Sequence, residues 1–572
     1  MVTELPPISA VFLCKFDVHS GYDLHWYKTN NDHSYDLKGV EFSSLPSGLH
    51  SVSSDTIMFA RQKGDMDGDD HVSKDKLLYG ISIFHQNKLD DQKNGTTSVS
   101  VDRSCVKMYS LGVLIDPVHV SLLQDMSADS PWKPRVYSAC WQYRKELSHL
   151  LDGFMLCSGS IAEKAYFSKF DAFFDKHKYR LAYEPEIGSE VSSHNAKINT
   201  PKMTFLTNQP DPSSPTISTD ELTSIDMSID ASEYDTESHS VFGLETMLEV
   251  LGPSVYEIWK LSLLRKRILF YMVPENEKSL LKVQDMCKFI YSLSLISSIP
   301  KKLKRQLVKS DVKNMDEIEF NLPFYNICIN DIDFVKNISG GFLACTTDQI
   351  LLEKRDLYDY CVRIPSNLGH GGAKPAIFSS QDASTSIHAT HRDSEAFLLV
   401  KQFIEASTAL GDAEMDTSRA SFTSMSSLIT PKISLQEMIW QGISWWATAG
   451  ESSKEIDEKY TSENALFQDS EEADATPDKI DIIISLIGYF QRKTDRLFVS
   501  SIELMSNEDS DAFNEHGVEG SSATVCIHPH DMLEMGSDPY SSTDCKLLQE
   551  LVHVWWGRDA DVGGVCARMC CF

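Results

Sequence analysis

The amino-acid sequence predicts a multidomain α/β and α+β protein, and three observations carry that prediction. Five short strand-like runs precede helical text within residues 1–187, strand and helix alternate over 241–365, and residues 431–572 are mostly helical in pattern. The 572 residues are about four times the usual domain length of roughly 150, which implies two to four folded units joined by linkers.

The elements follow in chain order. AVFLCKFD (Ala10 to Asp17) has strand character, His19 to Gly21 supplies a turn and LHWYK (Leu24 to Lys28) a second strand, so a β-hairpin opens the protein. DTIMFA (55–60), LLYGISIFH (77–85) and CVKMYSLGVLI (105–115) supply three more strands, and the polar KGDMDGDDHVSKDK (63–76) reads as a surface loop. Tyr143 to Phe174 reads as helical from Leu147, Leu150, Leu151 and Phe154, then Phe167, Phe170 and Phe174. Text such as NQPDPSSPTISTDE has too little apolar surface to offset chain entropy, so 188–240 is a disordered linker.

Order resumes at Val241, where Leu244, Met247, Leu248 and Leu251 keep helical spacing until Gly252-Pro253. Ser254 is placed to cap a second helix with the stripe Val255, Ile258, Trp259 and Ser262, before RILFY (267–271) switches to strand. Lys278 to Leu295 carries Leu280, Val283, Cys287 and Ile290 on a buried helix face. FYNICINDIDF (324–334) and GFLACTT with ILLEK (341–354) predict strands joined by tight turns. A polar gap over 366–430 encloses one helix, Glu395 to Leu410. Beyond it stand SLQEMIWQGISWWATAG (434–450), an acidic loop over 451–478, a helix over 480–498 announced by Thr476-Pro477, and a closing helix CKLLQELVHVWW (545–556).

Lys and Arg number 53 against 83 Asp and Glu, a net charge of −30 that repels nucleic acid and anionic lipid as a whole. Apolar residues at 42% and aromatics at 10% suffice to build cores. The opening MVTELPPISAVFLCKF has no basic stretch before its apolar run, which speaks against a secretory signal. The longest apolar run, Ile480 to Phe490, is about half of the ~20 residues needed to cross a bilayer. Thirteen cysteines, with no CxxC spacing among those from Cys14 to Cys545, read as reduced thiols of a cytoplasmic protein.

No constellation for bond-breaking chemistry emerges, and neither a metal nor a cofactor is expected. Gly369, Gly371 and Gly372 lack the strand and helix that a phosphate cradle needs and read as a flexible loop. DMDGDD (65–70) has its glycine at the fourth place rather than the sixth of a calcium loop and reads as a solvated acidic turn. Cys526, His528, His530 and Asp531 are metal-donor types without a second pair of ligands, so a polar loop capping the last helix is the plainer reading. Lys301, Lys302, Lys304, Arg305 and Lys309 form the one dense basic run, read as a solvated helix face with a partner or lipid-headgroup contact as the alternative. CARMCCF misses the four-residue prenylation box, because Met569 stands where its cysteine would be. Lipid chains on Cys570 and Cys571 stand beside an inert tail as the two readings of that segment, with Cys566 nearby.

EIWKLSLLRKRILFY (257–271), CKFIYSLSLISSIP (287–300), FYNICINDIDF and GFLACTTDQILLEKRDLYDYCV (341–362) resemble the core of a DENN domain, the module of Rab GTPase exchange factors. AVFLCKFDVHSGYDLHWY, GVEFSSLPSGLHSVSSDTIMF and MYSLGVLI are similar to the LCHN-type branch of that family. VCIHPHDMLEMGSDPYSSTDCKLLQELVHVWWGR (525–558) resembles the C-terminal region of its fungal members. The resemblance implies a longin-like module over 1–187, with a five-stranded antiparallel sheet and flanking helices, beside a DENN α/β core over 241–365. It also implies a Rab-type small GTPase as partner, engaged in membrane trafficking, and a cytoplasmic protein peripheral on an organelle surface such as an endosome, secretory vesicle or lipid droplet. Exchange of this kind needs no nucleophile: a protein that binds the empty GTPase far better than the loaded one loosens the nucleotide by linkage. A GTPase-binding scaffold without exchange activity is the alternative. Asp331, Asp333, Thr346, Thr347 and Asp348, at strand ends and turns of the core, are the candidate partner-binding residues, against the reading that they cap turns.

Overall fold

A computed structural model describes residues 6–17, 19–30, 37–46, 52–64, 76–87, 107–118, 135–157, 159–178, 240–273, 281–310, 312, 320–338, 340–365, 374–382, 384–411, 479–516 and 524–563. The DMDGDD turn, the linker up to residue 239, Lys278 and Leu280, the glycines at 369, 371 and 372, the segments 434–450 and 451–478, Thr476-Pro477, and the cysteines at 566, 570 and 571 lie outside the described residues.

The five expected strands are present: β1 (Ala10–Asp17), β2 (Gly21–Thr29), β3 (Ser54–Gln62), β4 (Leu77–Gln86) and β5 (Met108–Ile115). They pair antiparallel in the order β2-β1-β5-β4-β3. Strand β5 is buried along its whole length, because both faces of this sheet are covered. On one face lie α1 (Val40–Ser43) and the residue after it, where the hydroxyls of Ser82 and Ser110 both donate to the Ser44 carbonyl at 2.8 Å. The short α2 (Arg135–Ser138) leads through a 3₁₀ turn into α3 (Arg144–Met155) and α4 (Ser160–His177) on the other face. These two bury Leu147, Leu151 and Phe154, and Phe170, Phe173 and Phe174. The sequence reads Tyr143 to Phe174 as one helical stretch. The chain breaks it at Gly159, whose φ of +91° no helix accommodates, so the two halves pack separately against β4–β5 and β1–β2.

The second half begins with α5 (Gly243–Leu251) and α6 (Ser254–Leu263). Pro253 occupies the cap position of α6 and Ser254 is its first helical residue, so the expected Ser254 cap is not made. After β6 (Ile268–Met272) come α7 (Val283–Ile296) and α8 (Lys301–Lys309), then β7 (Leu322–Asn326), α9 (Ile332–Lys336), β8 (Phe342–Thr346), α10 (Gln349–Glu353) and β9 (Tyr360–Ile364). The strands run parallel in the order β7-β8-β6-β9. INDIDF and ILLEK, expected as strands, are helical instead. Asp331 accepts the Cys328 N–H at 2.8 Å and so holds the start of a 3₁₀ turn, and the Asp348 carbonyl accepts the Leu351 N–H at 3.1 Å. Local capping of this kind outweighs the strand propensity of the isoleucines. The segment read as a polar gap supplies β10 (Ala376–Ser379) and β11 (Ser386–Ile387), an antiparallel edge ribbon, before α11 (His391–Gly411).

The C-terminal region is helical as expected, with α12 (Lys479–His516), α13 (Pro529–Glu534) and α14 (Ser542–Trp556), the last capped by Ser541. It also holds a short parallel ribbon of β12 (Val525–Ile527) and β13 (Ala560–Val562). This region packs into the core rather than beside it. Trp555 donates to the Leu263 carbonyl at 3.0 Å, Trp259 to Thr494 at 3.2 Å, and the hydroxyls of Tyr256 and Tyr489 meet at 2.9 Å.

The two β modules form one sheet of eleven strands, joined where β3 pairs with β7 through Phe59 and Tyr325. Tyr325 sits at a register shift in β7 with φ of +59°, its ring buried against Tyr79 and its hydroxyl donated to the Tyr137 carbonyl at 3.0 Å. A left-handed tyrosine is costly. Its buried aromatic contacts and hydrogen bond offset that cost at the seam.

Candidate partner-binding site

Open α/β sheets expose their binding groups at the carboxyl ends of parallel strands, and that rim is where the candidate residues fall. The turn after β7 holds Cys328, Ile329 and Asp331, and the turn after β8 holds Thr347 and Asp348. The structure separates these residues by role. Asp331 faces inward: besides Cys328, it accepts the Ser43 hydroxyl at 3.4 Å, tying α1 of the first module to the core. Burial raises its carboxyl above the ordinary range, while the Cys328 and Ser43 donors and the Arg61 guanidinium pull the other way. Thr346 is buried, and its hydroxyl accepts the Asp348 N–H at 3.0 Å. Asp333 is exposed on α9, and Thr347 and Asp348 are half-buried at the lip.

The first module closes over this lip. Tyr22, at the start of β2, stacks edge-on against Phe16 at 5.1 Å and lies 5.3 Å from Phe42 of α1. Burial raises the Tyr22 phenol, and the charges of Asp348 and Cys328 raise it further. Gly39, with φ of +90°, starts α1 and lets the guanidinium of Arg61 pass close to its backbone. Arg61 donates to the Lys38 carbonyl and sits within electrostatic reach of Asp331.

The resulting surface combines apolar and acidic groups from both modules. Tyr22 is 38% exposed, Ile329 42% and Ile350 54%, with the carboxylates of Asp333 and Asp348 beside them. Aromatic and aliphatic anchors within a polar rim are the composition of a protein-binding patch. Sequence reading missed Tyr22, Ile329 and Ile350. The available signal was an isoleucine interrupting each polar turn, in CINDID and DQILL.

Two other acidic clusters have different employment. Glu257, Asp393 and Asp544 converge deep in the protein, but Lys260 Nζ already fills the cation position, at 3.2, 2.7 and 2.7 Å from them. His530, Asp531 and Glu534 bring ligand atoms within 4.8 Å of one another on the surface, and Cys526 and His528 are not in that group. Asp531 accepts the His528 N–H at 2.8 Å and so caps α13, whereas the last helix, which the polar-loop reading had it cap, is capped by Ser541 instead. Among the described residues no helix is long and apolar enough to cross a membrane.

The profile of the family described as DENN domain-containing protein 11 matches residues 11–372, and that of a domain of unknown function, DUF4484, matches residues 431–572. The uncharacterized protein ANR2 of Saccharomyces cerevisiae is 25% identical, over 98% of this chain and 94% of its own length. DENN domain-containing protein 11 of Xenopus laevis is 23% identical, over 62% of this chain and 59% of its own length. The uncharacterized protein C119.16c of Schizosaccharomyces pombe is 22% identical, over 65% of this chain and 67% of its own length. The matched span covers the first β module, strands β6–β9 of the second and the seam between them, in agreement with the resemblance drawn from the core motifs. The chain belongs to the DENN domain-containing protein 11 family.

Proposed function

We propose that the protein regulates a Rab-type small GTPase in membrane trafficking, as an exchange factor that binds the nucleotide-free form. Membership of a DENN family supports the class of partner. The observation that supports the site is the hydrogen bond from Ser43 to Asp331 at 3.4 Å, which brings α1 of the first module against the rim turn that follows β7. A GTPase holding its nucleotide tightly is opened by differential binding alone, at about 1.4 kcal/mol for each tenfold of loosening. A broad two-module surface can supply that difference without acid, base or nucleophile. The acidic lip suits a basic or amphipathic partner face. The protein then acts in the cytoplasm, reaching an organelle surface through its partner or through lipid chains on Cys570 and Cys571.

A panel of purified Rab-type GTPases loaded with a fluorescent nucleotide tests this reading. Accelerated release from at least one member is expected, and no acceleration on any member overturns it. Preference for GTP-loaded over empty GTPase in a pull-down would instead identify a scaffold without exchange activity.

A further inference from the structure

The basic helix α8 has no role in the surface just described, and its place in the fold gives it another. Ser294, near the end of α7, donates to the Asn321 carbonyl at 3.1 Å, and the Asn321 amide donates to the Lys266 carbonyl at 3.0 Å. Residues 321 and 266 precede β7 and β6, so the end of α7 stands at the amino ends of the parallel strands. Helix α8 follows directly from there. It therefore lies at the opposite end of the core from Asp331 and Asp348, with the length of the strands between them.

Leu303 and Leu307 are fully buried and seat the helix. Arg305 and Lys309 point outward as exposed residues, and Val308 between them is 51% exposed. Among the described residues neither Arg305 nor Lys309 has a carboxylate partner, and the stretch 301–310 contains no acidic residue at all. Lys302 adds to this face, and together with Arg492 of α12 it lies within electrostatic reach of the half-buried Asp495. In a chain of net charge −30, this is a local field of the opposite sign.

We infer that the outer face of α8, carrying Arg305, Val308 and Lys309, lies against an anionic membrane surface. Charge complementarity selects an anionic occupant, and an apolar residue among the cations suits the headgroup boundary of a bilayer. The course of the chain favours lipid over an acidic protein. Trp556, at the end of α14, donates to Ser310 at the end of α8, at 3.3 Å. The described chain runs from there only as far as Gly563, and Cys566, Cys570 and Cys571 follow. Eight residues beyond Gly563 reach at most about 28 Å when extended, a length that allows a lipid chain on Cys570 or Cys571 to enter the same bilayer that α8 would face. One acyl chain alone binds a membrane only marginally, and a basic patch is a sufficient second signal. With α8 on the membrane, the opposite rim remains open to a GTPase.

Flotation of the purified full-length protein with vesicles tests this without reference to exchange. Vesicles of phosphatidylcholine with ~30 mol% phosphatidylserine should carry the protein, phosphatidylcholine alone should not, and salt at about 0.5 M should release it. Arg305→Glu with Lys309→Glu should lower partitioning at least ~10-fold, with melting temperature and exchange rate in solution unchanged. Equal flotation on neutral vesicles, no flotation on anionic ones, or full flotation of the double variant would overturn the inference. Should the variant fold poorly, the salt and lipid dependence of the unaltered protein decides. Absence of exchange activity bears on the GTPase reading alone.

Discussion

Asp55 caps a helix that belongs to the other half of the sheet: its carboxylate accepts the backbone N–H of Val283 at 3.2 Å, and also that of Gln284 at 3.3 Å. Two orphan donors at the start of α7 are satisfied by the first residues of β3, so the cap pins α7 over the seam. Burial pushes the Asp55 carboxyl up to about 6, against the pull of its N–H donors and Lys282. Asp55→Ala leaves those donors buried without a partner. It should cost about 1–3 kcal/mol in a urea titration, and it should loosen the rim, since Asp331 and Ser43 share the same module contact.

Lys260 gathers three carboxylates into a buried cluster spanning α6, α11 and α14. Lys260→Ala would leave them facing one another and should cost about 3–5 kcal/mol, seen as a lower denaturation midpoint. The companion Glu257→Gln should be tolerated, because the cluster has more negative than positive charge.

Burial pushes Glu257 from 4.5 up to about 7, with Lys260 opposing. Its folded pKa thus exceeds the unfolded one. The stabilisation is fully present below pH 4.5 and is lost as pH rises through about 7. Comparing melts at pH 5.5 and pH 8, the loss on going alkaline should be smaller in Glu257→Gln than in the unaltered protein by roughly 2 kcal/mol. Equal losses in the two proteins would remove Glu257 as the titrating group.

Exposed and buried residues of the rim should separate in experiment. Ile329→Ala and Ile350→Ala should each weaken GTPase binding by about tenfold or more with the melting temperature unchanged, as surface anchors do. Asp331→Ala should instead lower stability by about 1–3 kcal/mol, because the Cys328 N–H loses its acceptor. Titration of binding and a thermal melt on the same three variants distinguish the two behaviours.

Gly112, at the centre of β5, is a packing requirement. A Cβ there would stand 2.3 Å from Phe12 Cζ and 2.6 Å from the Ile81 carbonyl. Gly112→Ala should destabilise the first module by about 1–3 kcal/mol, measurable as a lower melting temperature.

Local pattern alone was enough for much of the architecture. Ala10 to Asp17 reads as a strand and is one, residue for residue, and the stripe Leu244, Met247, Leu248 and Leu251 is the buried face of α5. Period and apolar spacing are properties of a short window, so they survive without tertiary context. The candidate carboxylates were also legible as turn residues, but whether each faced a partner or the interior was not. Asp331 turned inward because Ser43, 288 residues away, came within reach of it, while Ile329, two residues before it, stays 42% exposed. The same holds for the seam and the cluster. Asp55 meets Val283 across 228 residues and Lys260 meets Asp544 across 284. A sequence window states which face of an element is apolar or charged. It does not state which distant face will meet it, since that is selected by the burial and hydrogen bonding of the whole fold.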